Sequence, residues 1–373
     1  MEFEALVKKL EEALMSKKVI AAMSGGVDSS VMAALMVQDG YDVVAVTMRL
    51  GDHDTVEHDT EKPSCCSVEG VDDARYAAMQ LNIPFYAVNH EEEFRTRIVD
   101  YFTQEYTAGR TPSPCVICNQ DLKFGSLVDL ADQLGYEYVA TGHYAKIDQD
   151  PETGRHILKK GTDEQKDQSY FLFSLTQPQL KRALMPLGDL NKESVRDIAR
   201  RYQLKTADKP ESQELCFIAD DNYKRFLMDR IPEQIEAGEI RDLDGNKIGH
   251  HDGIPFYTVG QRRGLGLSVG KPVYVTEIKT ENNTIVVGQA SNLLKEQMIV
   301  NQINWIPFDQ PSEPIRASIK IRYRDKGEMG TITLTDDDEA KVVFDHPRRA
   351  IAPGQAAVFY HSDVVIGGGW IKS

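Results

Sequence analysis

The stretch Ser24-Gly25-Gly26-Val27-Asp28-Ser29-Ser30 constrains this chain more than any other. It stands between an apolar run of strand length, residues 19–23, and a segment of helical period, residues 31–37. Strand, glycine turn and helix in that order begin a layered α/β arrangement. Two adjacent glycines let the backbone approach a bound group closely and take angles closed to other residues. The following helix offers unpaired N–H groups and the positive end of its dipole, so the turn is suited to phosphate. Neither the G-x-x-x-x-G-K-[ST] spacing of a Walker loop nor the G-x-G-x-x-G of a Rossmann turn is present. The loop has no lysine of its own.

What the loop resembles is the SGGxDS loop of the PP-loop ATP pyrophosphatases, which split ATP into AMP and pyrophosphate. The resemblance implies ATP binding by Ala22, Met23, Ser24, Gly25, Gly26, Val27, Asp28 and Ser29. Around it, residues 19–23, 42–48, 84–89 and 138–141 read as short strands alternating with helical segments. That alternation predicts a parallel sheet covered on both faces, with ligands at the carboxyl ends of its strands. Met48 and Thr141-Gly142-His143 then fall on the ATP side. Gly142 is expected to give adenosine room, and His143 reads as a polar pocket wall or as a buried, hydrogen-bonded histidine.

At 373 residues the chain has room for two or three domains. It is 41% hydrophobic and 27% charged, an ordinary soluble composition with no apolar run long enough for a membrane span. The first ten residues read as an amphipathic helix, not a signal peptide. Five cysteines in so long a chain form no disulfide framework, which places it in a reducing, cytoplasmic compartment. A net charge of −15 argues against indiscriminate nucleic-acid binding but leaves room for a local basic surface.

Residues 51–67 are polar and irregular, with His53, His58, Cys65 and Cys66. Their spacing is unlike a zinc site, and a mobile active-site flap is the expectation. In Gly109-Arg110-Thr111-Pro112-Ser113-Pro114-Cys115-Val116-Ile117-Cys118 two prolines fix an extended approach, and a helix is expected to start near Cys118. There the helix terminus would favour a thiolate. A bare C-x-x-C fits half a metal site or a dithiol equally well. A lone cysteine, Cys216, follows a polar turn where the α/β pattern ends.

From about 217 to 294 the alternation is lost: a helix is expected over 221–235, then short β segments with turns at Asp244-Gly245 and Asp252-Gly253. Gln261-Arg262-Arg263-Gly264 is a basic surface turn, either solvated or in contact with RNA. The last part, from about residue 299, is all short strands and reads as a small β-barrel. Within it Arg316, Ser318, Lys320, Arg322 and Arg324 alternate with Ala317, Ile319, Ile321 and Tyr323, which predicts a cationic strand face suited to a phosphate backbone. The acidic run at 336–339 reads as an exposed turn.

Residues 23–30, 109–124, 140–144, 166–172, 216–218, 258–266, 322–324 and 353–360 together resemble, in order, the bacterial tRNA-specific 2-thiouridylases. The resemblance covers essentially the whole chain. It implies a PP-loop ATP pyrophosphatase domain (adenine nucleotide alpha hydrolase-like) over 1–217, a mixed central domain over 218–298 and a tRNA-binding β-barrel over 299–373. It implies thiolation of the wobble uridine in the tRNA anticodon stem-loop, with ATP and Mg²⁺, an upstream sulfur-donor protein and an external reductant. Cys118 falls on the family's nucleophile and Cys216 on its persulfide carrier, the two forming a transient disulfide. Target-base contacts fall on Ser113, Pro114 and Cys115, and tRNA contacts on His143, Lys166, Asp167, Gln168, Arg322, Tyr323 and Gln355. Many relatives carry aspartate, a proposed acid/base, where this chain has Cys115. Other readings stay open: an iron–sulfur site on Cys115, Cys118 and Cys216, an amide-forming PP-loop synthetase, or a non-catalytic tRNA-binding module.

Overall fold

The computed structural model describes residues 17–51, 68–210, 215–218, 220–335 and 339–373. The expected N-terminal helix, the segment holding His53, His58, Cys65 and Cys66, and most of the acidic run at 336–339 lie outside these residues.

Among the described residues, five parallel strands make the first sheet: β1 (Lys18–Ala22), β2 (Asp42–Arg49), β3 (Phe85–Asn89), β4 (Tyr138–Ala140) and, after a hairpin of β5 (Ala145–Gln149) and β6 (His156–Lys160), β7 (Ala183–Leu184). Their spatial order is β3-β2-β1-β4-β7. The helices are α1 (Val27–Gln38), α2 (Val68–Gln80), α3 (91–107), α4 (114–134), α5 (Gln177–Arg182) and α6 (Lys192–Arg201). Strand β1 is apolar at successive positions because both its faces are covered. Ile20 packs with Val44, Val139, Phe124 and Leu127 on one side; Val19 and Ala21 pack with Val31, Met32 and Val195 on the other. Chain order reverses between β1 and β4, so the crevice for a ligand opens there.

The central part has helix α7 (Tyr223–Arg230) and strands β8 (Gly238–Arg241), β9 (Lys247–His251), β10 (Tyr274–Lys279) and β11 (Thr284–Gly288), in the order β10-β11-β8-β9. The helix is shorter than the expected 221–235 because Pro232 disfavours helical geometry at Ile231 and opens a 3₁₀ turn.

Six antiparallel strands form the barrel: β12 (Leu294–Trp305), β13 (Ile315–Lys320), β14 (Glu328–Leu334), β15 (Ala340–Arg349), β16 (Ala356–His361) and β17 (Val364–Ile371). The order β12-β15-β14-β13-β16-β17 closes through β12–β17 pairing around Val300, Ile319, Val342 and Phe359. Strand β17 also pairs with β6, so the hairpin β5–β6 of the N-terminal part extends the barrel sheet.

The expected cationic stripe is not one strand face. Strand β13 ends at Lys320, and Arg322 and Arg324 lie in the turn beyond it. Arg316 is held by Asp345 through two bonds of 2.7 and 2.6 Å, and the Lys320 ammonium sits 5.3 Å above the Tyr360 ring.

Candidate active site

The glycine loop leaves β1 at the switch point. Gly25 has φ +73, and a Cβ there would lie 2.1 Å from the Gly70 carbonyl oxygen in α2, so only glycine fits. Gly26 is the extended N-cap of α1 and its carbonyl accepts the hydroxyls of Ser29 and Ser30 at 3.1 and 2.9 Å. The Ser24 N–H donates to Ser29 Oγ at 3.2 Å, while the Met23 carbonyl takes the Thr47 hydroxyl at 2.9 Å. These bonds set the loop before any ligand arrives. Ala22 and Met48 are half-buried, and Val27 is buried. Gly142 has a packing role besides the one expected. A Cβ at this position would meet the Asp28 carbonyl carbon and the Ser29 nitrogen at 2.9 Å, so its smallness lets β4 abut the loop itself.

Asp28, in the first turn of α1, accepts the Tyr144 hydroxyl at 2.7 Å and the Lys192 ammonium at 2.8 and 2.9 Å. Lys209 reaches the loop from another side, donating to the Gly25 carbonyl at 3.3 Å while bonded to Asp73 at 2.5 Å. Sequence reasoning missed both lysines. A signal existed for Lys192: Asn191 is a helix N-cap, its side chain accepting the Ser194 N–H at 2.8 Å. A helix start following a strand of this sheet belongs to the ligand edge.

Helix α4 begins at Pro114, one turn before the expected start, because a proline in the first helical position sacrifices no hydrogen bond. Residues Cys118–Ser126 are π-helical and Leu127–Leu134 return to α-helix. Cys115, not Cys118, therefore occupies the first turn, and it is exposed. Cys118 is buried among Leu50, Phe94, Ile98, Val99 and Leu122, and Cys216 and Met48 pack against the same cluster. Apolar packing, rather than a helix terminus, is the environment of Cys118. The structure thus brings together two cysteines 98 positions apart and a residue from the ATP edge of the sheet. Among the described residues, no three His, Cys, Asp or Glu side chains gather as metal ligands, which leaves the iron–sulfur reading of Cys115, Cys118 and Cys216 without support.

Ser113 and Pro114 are buried beside exposed Cys115. The segment before them is clamped by the barrel: the Gln355 amide donates to the Thr111 and Pro112 carbonyls at 3.2 and 2.9 Å, and the Thr111 N–H to the Pro353 carbonyl at 2.8 Å. Lys166 is half-exposed, whereas the buried Asp167 carboxylate accepts the N–H groups of Gly161 and Ser169 at 3.1 Å and so folds the turn. Gln168 accepts the Tyr144 N–H at 3.1 Å. Tyr323 lies 4.5 Å from Phe171, ring centre to ring centre, and Arg322 is exposed. His143 is only 8% exposed and bonded through Nδ1 to the Thr141 hydroxyl at 2.8 Å. Burial, helped by Lys123, drives its pKa well below the ordinary value, so it is neutral. Of the two readings of His143, the geometry fits the buried, hydrogen-bonded one, which leaves it little surface for RNA.

Residues 17–220 match the family model described as tRNA methyl transferase HUP domain. Residues 224–289 match the tRNA methyl transferase PRC-barrel domain and residues 295–371 the aminomethyltransferase beta-barrel domain. The tRNA-specific 2-thiouridylase MnmA of Carboxydothermus hydrogenoformans is 48% identical over 356 residues, covering 95% of this chain and 98% of that protein. MnmA of Clostridioides difficile is 47% identical over 359 residues, with coverage of 96% and 99%. MnmA 1 of Caldanaerobacter subterraneus subsp. tengcongensis is 47% identical over 357 residues, with coverage of 96% and 98%.

Proposed function

The chain belongs to the MnmA family of tRNA-specific 2-thiouridylases, and on that membership we propose that it uses ATP to replace the C2 oxygen of the wobble uridine of tRNA with sulfur. One observation carries the reading beyond the family: Cys118, Cys216 and Met48 share one apolar cluster at the carboxyl edge of the ATP sheet. An amide-forming synthetase has no use for that pair, and a binding module has no use for the loop.

Oxide is too poor a leaving group to be displaced from C2 directly. The C2 oxygen therefore attacks the α-phosphorus of ATP, the bond to the bridging oxygen of the β-phosphate breaks, and pyrophosphate leaves with that electron pair. The loop N–H groups, Ser24 and Ser29 face the charge that develops on the phosphates. Asp28, a carboxylate in the first turn of α1, would hold Mg²⁺, which would supply charge neutralisation there. Cys216 carries a persulfide received from a sulfur-donor protein, and its terminal sulfur attacks the activated C2, directly or after release as hydrosulfide. AMP departs with the former carbonyl oxygen. Cys118 attacks the inner sulfur of Cys216, and the resulting disulfide is reopened by an external reductant. Such chemistry suits the reducing cytoplasm.

The target base must leave its stack to reach Cys115 and Ser113. Lys166, Gln168, Arg322 and Tyr323 then serve the anticodon stem-loop around it. Nucleoside mass spectrometry of tRNA incubated with the protein, ATP, Mg²⁺ and a sulfide source tests the whole reading. 2-Thiouridine that depends on ATP is expected; pyrophosphate release without any thiolated nucleoside would overturn it.

A further inference from the structure

A loop that binds triphosphate through backbone and hydroxyl groups alone leaves most of the charge of ATP unmet, and this loop contains no lysine. One lysine nevertheless stands at its helix. The Lys192 ammonium lies 2.8 and 2.9 Å from the two carboxylate oxygens of Asp28, in the first turn of α1, where the dipole and free N–H groups favour an anion. Its side chain is 13% exposed, and its ammonium lies 5.8 Å from the centre of the Tyr144 ring. Its backbone is also fixed, since the Lys192 N–H donates to Asp163 at 3.0 Å from the turn that carries Lys166 and Gln168. Lys209 is different. Its partner Asp73 is no part of the loop and is 10% exposed, so Lys209 is a strut bracing the Gly25 carbonyl. Asp28 is 32% exposed and keeps the Tyr144 hydroxyl as a partner when Lys192 moves.

We propose that Lys192 is a catalytic residue of the loop, stored on Asp28 and transferred to the β- and γ-phosphates of ATP when the nucleotide binds. The proposal rests on the reading that this loop binds ATP. It gives the loop, from a helix 164 positions away, the cation that a Walker loop carries within its own motif. As the α-phosphorus to bridging-oxygen bond breaks, the electron pair stays on pyrophosphate. The Lys192 ammonium meets that charge and keeps its proton. Because α6 starts at the Asp163 turn, the same lysine ties the phosphate end of the site to the turn assigned to tRNA.

The test is calorimetric titration of the full chain with ATP and, separately, with AMP, without tRNA or sulfur donor. Lys192→Met is expected to weaken ATP binding by about tenfold to a hundredfold, the range of a charge-assisted contact, and AMP binding by less than about twofold. Lys192→Arg should restore most of the ATP affinity and, with tRNA present, most of the pyrophosphate release. Equal weakening of ATP and AMP with a lowered melting temperature would make Lys192 a structural partner of Asp28 and overturn the proposal. Unchanged ATP affinity in Lys192→Met would also overturn it while leaving the thiolation reading intact. A wild-type protein that binds no ATP would bring down both.

Discussion

Gln355 in the barrel and Pro112 before helix α4 are joined by a 2.9 Å hydrogen bond, side-chain amide to carbonyl, across 243 positions of sequence. The bond holds the chain that leads into Ser113, Pro114 and Cys115, so the barrel positions the base-facing segment from outside. Gln355→Ala is expected to lower single-turnover thiolation by about tenfold, since loss of one such clamp misplaces a reacting group. ATP affinity should be unchanged. Gln355→Glu, which sets a carboxylate against two carbonyl oxygens, should be worse. If the variants lose tRNA affinity yet turn over bound tRNA normally, Gln355 meets RNA rather than the Pro112 carbonyl.

The cysteine pair has an ordered signature. Cys216→Ser should never carry a persulfide, whereas Cys118→Ser should accumulate one on Cys216 and stall before release. Both should bind ATP and tRNA, because Cys118 and Cys216 sit in an apolar cluster rather than in either grip. Radioactive sulfur supplied by a donor, read on gels without reductant, separates the two. Stable label on Cys216→Ser would reverse the assignment. Cys115→Ser should keep most of the activity if Cys115 is a wall of the base pocket, and lose it if the thiol carries a proton.

Two arginines of the barrel should behave unalike. Arg322 is exposed in a turn, and Arg322→Ala should weaken tRNA binding and reduce the log–log salt slope by about one. Arg316 is committed to Asp345 by two hydrogen bonds, so Arg316→Ala should leave the slope unchanged. Filter binding across a salt series measures both, and equal slopes for the two variants would defeat the distinction.

His143 gives the fold an acid limit. Burial keeps it neutral in the folded protein, so its folded pKa lies below the unfolded value and the unfolded chain takes up the proton first. Its contribution is complete above about pH 6.5 and is lost as pH falls below that value, at up to about 1.4 kcal/mol per pH unit. His143→Asn, which can still meet Thr141 but does not titrate, should lose less stability than wild type between about pH 7.5 and about pH 5.5. Urea unfolding at the two pH values decides it; parallel losses would remove His143 as the cause.

The sequence made legible what local pattern controls. Residues 19–21 are apolar in succession because β1 is covered on both faces, and the glycine loop announced the ligand edge. The spaced motifs, Cys118 and Cys216 among them, carried the family. The cationic stripe failed because alternation was read through a turn. Asp325 accepts the N–H groups of Ile321 and Gly327 at 3.2 Å and bends the chain, outweighing the period of two. The π-helical stretch of α4 leaves no distinct period over nine residues. The Asn191 cap marks the helix start that carries Lys192, but its contact with Asp28 forms only after β7 and α6 are in place, so the partner itself has no local sign.

The hairpin β5–β6 joins the start of β17 through the Val364–Lys159 pair, and Asn304 of β12 covers the Phe173 and Leu175 carbonyls at 2.7 and 3.0 Å. Arg155 and Gln177 bond back to the Ile306 carbonyl at 3.1 and 2.9 Å. A chain cut ahead of β12 would therefore keep its nucleotide loop but bare an edge strand and strand two carbonyls. Unpaired edges recruit other chains, so such a fragment should aggregate rather than survive as a smaller ATPase. The barrel is thus a folding partner of the N-terminal sheet, and the two should melt in a single cooperative transition.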